Sequence, residues 1–177
     1  MCRSRGCRPG RPTYFIGLGS NLGDTRKQLA GARRRLTRAG VVIVRTSSLY
    51  RTEPVDELDQ PWFRNQVLKV RTVLGPQELL DLALSIEREM KRVPTVSKGP
   101  RTIDIDILLA GETIIDTPGL TIPHPRLHLR RFVLVPLEEL EPRLVHPVLG
   151  KTIRELLRAC PDRSTVLPDS RRASWKP

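Results

Sequence analysis

The chain is poor in aromatic residues and in cysteine, and it has no long hydrophobic run. Its 177 residues include two Trp, two Tyr, three Phe and three Cys. Three cysteines cannot pair into the framework of a small secreted domain, and they lack the spacing of a four-ligand zinc site. No stretch approaches the roughly 20 apolar residues of a transmembrane helix, and no apolar segment of the signal-peptide type begins the sequence. We therefore expect a cytoplasmic protein with no membrane partner.

Charge is abundant and biased to one sign. The formal net charge is +12, with 25 Arg and only 6 Lys among the 31 basic residues. A basic chain favours nucleic acid or phosphorylated small molecules as partners, but genome composition would also produce an excess of Arg. Residues 1–12 carry four Arg and no acid. We expect them to form a disordered tail, residues 13–167 to form a single domain, and residues 168–177 to form a flexible tail.

Hydrophobic periodicity predicts alternating strands and helices in the first 110 residues. The predicted strands are 13–18, 41–50, 64–73 and 103–110. One helix is expected between Asp24 and Gly40, and another from Gly75-Pro76 onward. This order is that of an α+β, ferredoxin-like βαββαβ fold, in which two helices cover one face of an antiparallel sheet and leave the other free for a ligand. Additional C-terminal helices are predicted over 131–140 and 152–159.

The segment GPRTIDIDILL (99–109) has the most informative chemical pattern. In a strand, its three isoleucines and Leu109 would point toward the helices, whereas Asp104 and Asp106 would point to the open face about 7 Å apart. Two carboxylates this close repel each other and favour a cation such as Mg²⁺, whose other ligands would be waters and phosphates. Arg101 would bring a guanidinium that suits phosphate to the same face. A merely amphipathic strand with a solvated acidic face explains the same alternation, so both interpretations stay open.

Two other patterns are less specific. GLGSNLG (17–23) follows a strand and precedes a helix, as a phosphate-binding loop would, but it lacks the GxGxxG and GK[ST] signatures, so a tight structural turn is favoured. Phe63 and Asn65 have the same strand parity, which suits a flat heterocycle stacked on a ring and hydrogen-bonded to an amide. Ordinary packing is the simpler explanation of that pair alone.

Five segments considered together carry a family resemblance. They are GLGSNLGD (17–24), SSLYRTEP (47–54), DQPWFRNQV (59–67), GPRTIDIDILL (99–109) and IPHPRLHLRRFVLVPL (122–137). In this order they resemble the 6-hydroxymethyl-7,8-dihydropterin pyrophosphokinase family of folate biosynthesis, over about residues 14–166. The resemblance implies transfer of pyrophosphate from ATP to the pterin hydroxymethyl oxygen, with release of AMP. We expect small-molecule substrates, no nucleic-acid partner and a monomer.

The resemblance also implies roles for single residues. Asp104 and Asp106 would hold two Mg²⁺ ions, and Arg101 and Arg92 would contact phosphates as catalytic residues. The pterin would be bound by Thr52, Glu53, Val55, Phe63, Asn65 and Phe132, with the two phenylalanines on either side of the ring. ATP would be contacted by Glu87, Lys98, Ile107, Thr121, His124 and Arg130. The loops 51–62 and 92–100 are expected to close over the substrates.

Two other function classes stay open on the sequence. A ferredoxin-like nucleic-acid-binding module would explain the positive charge, but such modules stack bases on sheet aromatics, which are few here. A nucleotide sensor would bind ATP without releasing AMP. The enzymatic interpretation needs no side-chain nucleophile, because alignment and charge neutralisation would supply the catalysis.

Overall fold

The computed structural model describes residues 12–55, 58–90 and 99–169. The elements in these ranges are β1 (Thr13–Ser20), α1 (Thr25–Arg38), β2 (Val42–Thr46), β3 (Tyr50–Thr52), β4 (Phe63–Arg71), α2 (Pro76–Glu89), β5 (Asp104–Ala110), β6 (Ile115–Thr117), β7 (Leu120–Ile122), α3 (Arg131–Leu140), α4 (Ile153–Ala159) and β8 (Val166–Pro168). A short 3-10 helix, Leu127–Leu129, precedes α3. None of the helices in these ranges has the length and hydropathy needed to cross a lipid bilayer.

The main sheet is antiparallel and has the strand order β5-β1-β4-β3-β8, with β2 also paired to β4. The expected α+β class and βαββαβ order are confirmed, with the second predicted strand divided into β2 and β3. The division lies at 47–49, where Val67 N–H donates to Ser47 Oγ (3.0 Å) and Ser48 N–H donates to the Glu139 carboxylate (3.0 Å). Side-chain bonds of this kind replace ladder bonds and interrupt the strand.

Helices α1 and α2 form as their patterns predict. The Asp24 carboxylate accepts a hydrogen bond from Lys27 N–H (3.1 Å) at the start of α1, and Gly40 (φ +86°) follows its end. Ala39 has the helical spacing of the buried residues Leu29, Ala32 and Leu36, but it is exposed because it lies at the C-cap of α1. The buried stripe of α2 comprises Leu79, Ala83 and Ile86 and continues to Met90 at the C-cap.

The opposite face of the sheet is only partly free, which corrects the expectation of an open face. The C-terminal helices α3 and α4 bury a second apolar cluster against it, centred on Phe15, Val67 and Leu108 of the sheet. Apolar sheet positions on this side need such a cover, because exposed apolar area is unfavourable. The ligand-accessible surface is therefore confined to the part that α3 and α4 leave uncovered.

A β-bulge in β5 changes the direction of its last side chains. Ile107 pairs with Ile16 and Leu109 pairs with Phe15, so Leu108 is the extra residue. Leu109 consequently packs in the cluster with α3 and α4, and the prediction that it points toward α1 and α2 is wrong. The alternation of Asp104 and Asp106 is unaffected, because both residues precede the bulge.

The C-terminal strand β8 closes the edge of the sheet against β3. Pro168 belongs to this strand, and the Asp169 carboxylate forms ion pairs with Arg26 (2.7 Å) and Arg64 (2.6 Å). Both residues are therefore part of the fold, although the sequence analysis placed them in the C-terminal tail. Residues 1–11 and 170–177 lie outside the described residues.

Candidate active site

A cleft that is open to solvent lies on the uncovered part of the sheet face. Its walls come from β1, β3, β4, β5, the segment after β3 and the start of α3. Ten of the predicted site residues line it: Thr52, Glu53, Val55, Phe63, Asn65, Arg101, Asp104, Asp106, Arg130 and Phe132. The structure therefore brings the whole predicted pterin set together with the two aspartates and two arginines.

Two glycines of β1 form the floor of the cleft. Gly19 is paired with Asn65 on β4 and with Asp104 on β5. Gly17 is paired with Asp106, also on β5. Cross-strand partners point to the same face of a sheet, so Asn65 and the two aspartates project beside glycines that have no side chain. The interpretation of GLGSNLG as a turn is corrected for residues 17–20, because β1 continues to Ser20 and contains Gly17 and Gly19. Gly23 (φ +66°) does lie in the connection between β1 and α1.

The Asn65 side chain occupies the space above Gly19. A Cβ atom on Gly19 would lie 2.9 Å from Asn65 Oδ1, whereas a Cβ on Gly17 would meet Leu108 at an ordinary 3.5 Å. The side chain of Asn65 is buried, and its Nδ2 donates to Thr52 Oγ1 (2.7 Å). Glycine at position 19 therefore allows the Asn65 amide to keep a defined orientation.

The two aspartates concentrate negative charge in the cleft. Burial raises the pKa of Asp106 well above its usual range, and the negative charge of Asp104 raises it further, against the opposing effects of Arg130 and Arg101. Arg101 Nη1 donates to Asp104 Oδ2 at 2.7 Å. In the described ranges no three His, Cys, Asp or Glu side chains converge on one point. A cation here would take two protein carboxylates and complete its shell from elsewhere, which is the pattern typical of Mg²⁺ on a phosphorylated substrate.

The position of Arg101 depends on Asn21, a buried residue that the sequence analysis did not single out. Arg101 N–H donates to Asn21 Oδ1 (2.8 Å), and Asn21 N–H donates to the Arg101 carbonyl (3.1 Å). Asn21 Nδ2 also donates to Gln60 Oε1 (3.0 Å) and to the Pro61 carbonyl (3.2 Å). An Asn that directly follows a strand often bonds to backbone groups, which was the available signal.

The aromatic walls come from distant parts of the chain. Phe63 begins β4, and Phe132 lies in the first turn of α3, where the Arg130 guanidinium is 5.4 Å from the centre of its ring. Thr52 is buried at the end of β3 beside Asn65. Aromatic and apolar walls beside a few fixed polar groups are usual in a site for a flat organic ligand, and this end of the cleft has that form.

Four residues predicted to contact ATP lie outside the lining of the cleft: Glu87, Ile107, Thr121 and His124. Glu87 is buried, and its carboxylate accepts a hydrogen bond from the N–H of Ile105 (2.7 Å), the residue between Asp104 and Asp106. Ile107 is buried in the core between the sheet and α1 and α2. The predicted phosphate contact Arg92 and the predicted ATP contact Lys98 lie outside the described residues.

Thr121 and His124 lie on and just after β7. Thr121 Oγ1 is 3.4 Å from Asp116 Oδ1. Burial, together with the positive charges of Arg130 and Arg126, lowers the pKa of His124 to about 4, so the imidazole is neutral at pH 7. Its Nδ1 accepts from Arg126 N–H (3.2 Å), which leaves the proton of the neutral ring on Nε2.

Comparison with known proteins shows the family of the chain. The model of the family 7,8-dihydro-6-hydroxymethylpterin-pyrophosphokinase (HPPK) matches residues 15–142. A 2-amino-4-hydroxy-6-hydroxymethyldihydropteridine pyrophosphokinase of Pseudomonas aeruginosa is 43% identical over 83% of this chain and 91% of its own length. A folic acid synthesis protein of Pneumocystis carinii is 43% identical over 87% of this chain, but the chain spans only 21% of that relative.

A solved structure supports the fold independently. The crystal structure of Plasmodium falciparum HPPK-DHPS has a TM-score of 0.67 to this chain, covers 86% of it and 46% of its own length, and is 17% identical in sequence. At that identity the likeness concerns the fold alone. The family model extends from β1 to just beyond the end of α3 and so includes every residue that lines the cleft. The chain therefore belongs to the HPPK family, the 7,8-dihydro-6-hydroxymethylpterin-pyrophosphokinases.

Proposed function

We propose that this protein transfers pyrophosphate from ATP to 6-hydroxymethyl-7,8-dihydropterin, giving the pterin diphosphate and AMP, as a step of folate biosynthesis. Family membership supports the class of reaction. The observation that carries the proposal is the register of β4, β1 and β5, which sets Asn65, Asp104 and Asp106 side by side in one cleft. An amide suited to a heterocycle thus lies next to carboxylates suited to a metal–phosphate complex.

The pterin is bound at the β3–β4 side of the cleft. Phe63 and Phe132 supply aromatic faces for the ring, and Asn65 supplies hydrogen-bonding groups for its edge. The bond from Asn65 Nδ2 to Thr52 Oγ1 fixes which way the amide points, so the Asn65 carbonyl oxygen is left to accept from the ligand. Backbone groups of Thr52, Glu53 and Val55 close this end.

The triphosphate is bound at the β5 side. Asp104 and Asp106 would hold two Mg²⁺ ions, whose positive charge would offset the burial and the repulsion from Asp104 that raise the pKa of Asp106. When bound, such ions neutralise charge on the phosphates of ATP. Arg101 pairs with Asp104 here and would turn to a phosphate oxygen once the aspartates hold cations.

Catalysis follows from alignment of the two substrates. The hydroxymethyl oxygen of the pterin attacks the β-phosphorus and a new O–Pβ bond forms. The bond between Pβ and the oxygen bridging to Pα breaks, so AMP leaves, and the hydroxyl proton is released to solvent. The protein contributes orientation through its aromatic walls and charge neutralisation through Arg101 and Arg130. His124 is neutral at pH 7 and would serve as a hydrogen-bond donor to nucleotide through Nε2.

An assay for AMP tests the proposal. Purified protein with ATP, Mg²⁺ and the hydroxymethyl dihydropterin should release AMP, measured by chromatography. Asp104→Ala and Asp106→Ala should each lower turnover roughly 100- to 1000-fold, the scale of a lost electrostatic contact in the transition state. Both should keep the circular dichroism spectrum of the wild type, because the two side chains face the cleft.

A matched control tests whether the loss of turnover depends on an acid in the cleft or follows from removing any acid. Asp81 is an exposed acid on α2 outside the lining of the cleft, so Asp81→Ala should keep wild-type turnover. Release of ADP by the wild-type protein, or no dependence of AMP release on the pterin, would contradict the proposed reaction.

A further inference from the structure

The helix that carries Phe132 has no local cap. The N-cap residue of α3, Arg130, makes no side-chain capping bond, and the first turn contains no acidic residue. The first N–H groups of a helix have no partner within the helix and need an acceptor from outside. Arg131 N–H donates to Asp162 Oδ2 at 2.8 Å, across 31 residues of sequence. A carboxylate from the C-terminal part of the chain therefore caps α3, where its negative charge also suits the helix dipole.

Asp162 also begins the segment 162–169, which we call the C-terminal strap. Its second oxygen, Oδ1, accepts from Ser164 N–H (2.8 Å), which orients the strap toward β3. Glu53 N–H donates to the Thr165 carbonyl (3.1 Å), and Thr165 N–H donates to Glu53 Oε2 (2.7 Å). Through these two hydrogen bonds the strap holds Glu53, in the segment that follows β3.

The C-terminal end of the strap is held by strand pairing and ion pairs. Strand β8 pairs with β3, and Val166 lies opposite Thr52. The Asp169 side chain is only 7% exposed between Arg26 and Arg64. A segment tied at both ends moves little, so it can act as a rigid reference for the groups it touches.

We propose that Asp162 is a positioning residue for pterin binding, which acts by holding Phe132 at a set distance from the Thr52–Glu53 wall. Asp162 does not line the cleft, and it reaches the site only through the first turn of α3 and through the strap. The inference rests on the proposed function, because the ligand held between the two walls is the pterin. The strap lies beyond residues 15–142, so the family match itself says nothing about it.

The expected effect is larger for one substrate than for the other. Without the cap, the first turn of α3 loses an acceptor and frays, so pterin binding must also restore the order of Phe132, and this cost weakens binding. ATP would contact this turn through Arg130 alone, whereas the carboxylates of β5 are held by sheet pairing with β1, which does not involve Asp162. Loss of the cap should therefore weaken pterin binding more than ATP binding.

Kinetics of two variants and a control test the inference. Asp162→Ala should raise the KM for the pterin roughly fivefold to tenfold, the factor that corresponds to a lost helix cap, and should raise the KM for ATP by a smaller factor. Asp162→Asn keeps one acceptor and should show a smaller effect in the same direction. Thr152→Ala is the matched control, since Thr152 caps α4 through Glu155 N–H (3.2 Å) and does not line the cleft. It should lower thermal stability by a similar amount without changing either KM.

The kinetic results distinguish a positioning role of Asp162 from a role in stability alone. An unchanged pterin KM in Asp162→Ala, or a parallel rise in both KM values, would overturn the inference. If Asp162→Ala does not fold, Asp162→Asn is judged by the same criteria. Direct titration of the protein with the pterin separates this inference from the proposed function. A wild-type protein that binds pterin but releases no AMP refutes the reaction, whereas weaker pterin binding by Asp162→Ala still supports the positioning role.

Discussion

Glycine 19 offers a direct test of how the floor of the cleft is built. Its position in β1 requires no unusual backbone angle, so alanine can adopt the same conformation. The added Cβ would lie 2.9 Å from Asn65 Oδ1 and 3.8 Å from the Cβ of Asp104. Since the backbone of three paired strands cannot move apart, the Asn65 amide must rotate and lose its bond to Thr52 Oγ1.

The magnitude follows from the groups involved. Loss of one buried hydrogen bond costs about 1 kcal/mol, and a smaller gain of about 0.5 kcal/mol from replacing glycine partly offsets it. For a domain of this size the melting temperature of Gly19→Ala should fall by only about 1–3 °C. The affinity for the pterin should fall much more, by about tenfold or more, because Asn65 no longer presents its edge correctly.

Gly17→Ala is the natural control for this variant. Its Cβ would meet Leu108 at 3.5 Å, an ordinary contact, and it is paired with Asp106 rather than with Asp104. Titration of both variants with pterin, monitored by fluorescence or calorimetry, should show the larger loss for Gly19→Ala. Equal affinity of Gly19→Ala and wild type would refute the assigned role of the Asn65 amide in the cleft.

Two further predictions concern titratable groups. Burial would raise the pKa of Asp169, but hydrogen bonds and charges from Arg64 and Arg26 outweigh burial and lower the pKa. Asp169 therefore stabilises the folded state above its unfolded pKa, and this stabilisation is lost as the pH falls through the folded pKa. Thermal melts from neutral to acidic pH should show this acid loss in the wild type and not in Asp169→Asn, which should cost about 2 kcal/mol at neutral pH because it weakens two charged hydrogen bonds. The pKa of His124 is lowered to about 4, mainly by burial, so its NMR ring signals should stay those of the neutral form when the pH is reduced from 8 to about 5. A midpoint near the ordinary value of about 6.5 would show that the imidazole is solvated.

The helices and the aspartate strand could be predicted because their signals are local. The stripe from Leu79 to Met90 and the cap at Asp24 involve residues a few positions apart, so periodicity and capping chemistry suffice to place α1 and α2. The parity of Asp104 and Asp106 is equally local. Their placement on a common face of the cleft agrees with that parity.

Sequence reasoning failed where partners lie far apart. The extension of β1 through Gly17 and Gly19 depends on pairing with two distant strands, and the reversal of Leu109 depends on a bulge against β1. A residue's own neighbours in sequence carry no information about such pairing. Asn21 and Asp162 were missed for the same reason, since their partners lie 80 and 31 residues away.

Local sequence patterns were sufficient to predict the helix faces, the order of elements, the pair of carboxylates on one side of a strand and the family resemblance. These features rest on repeats of two or about four residues and on short motifs, which any stretch of chain expresses without reference to the rest. Three features became visible only in the folded chain: which part of the sheet stays open, the room that Gly19 leaves for the Asn65 amide, and the capping by the C-terminal strap of the helix that carries Phe132. Those arrangements arise when backbone donors and apolar surfaces from distant segments must all be satisfied at once, and no local pattern records that requirement.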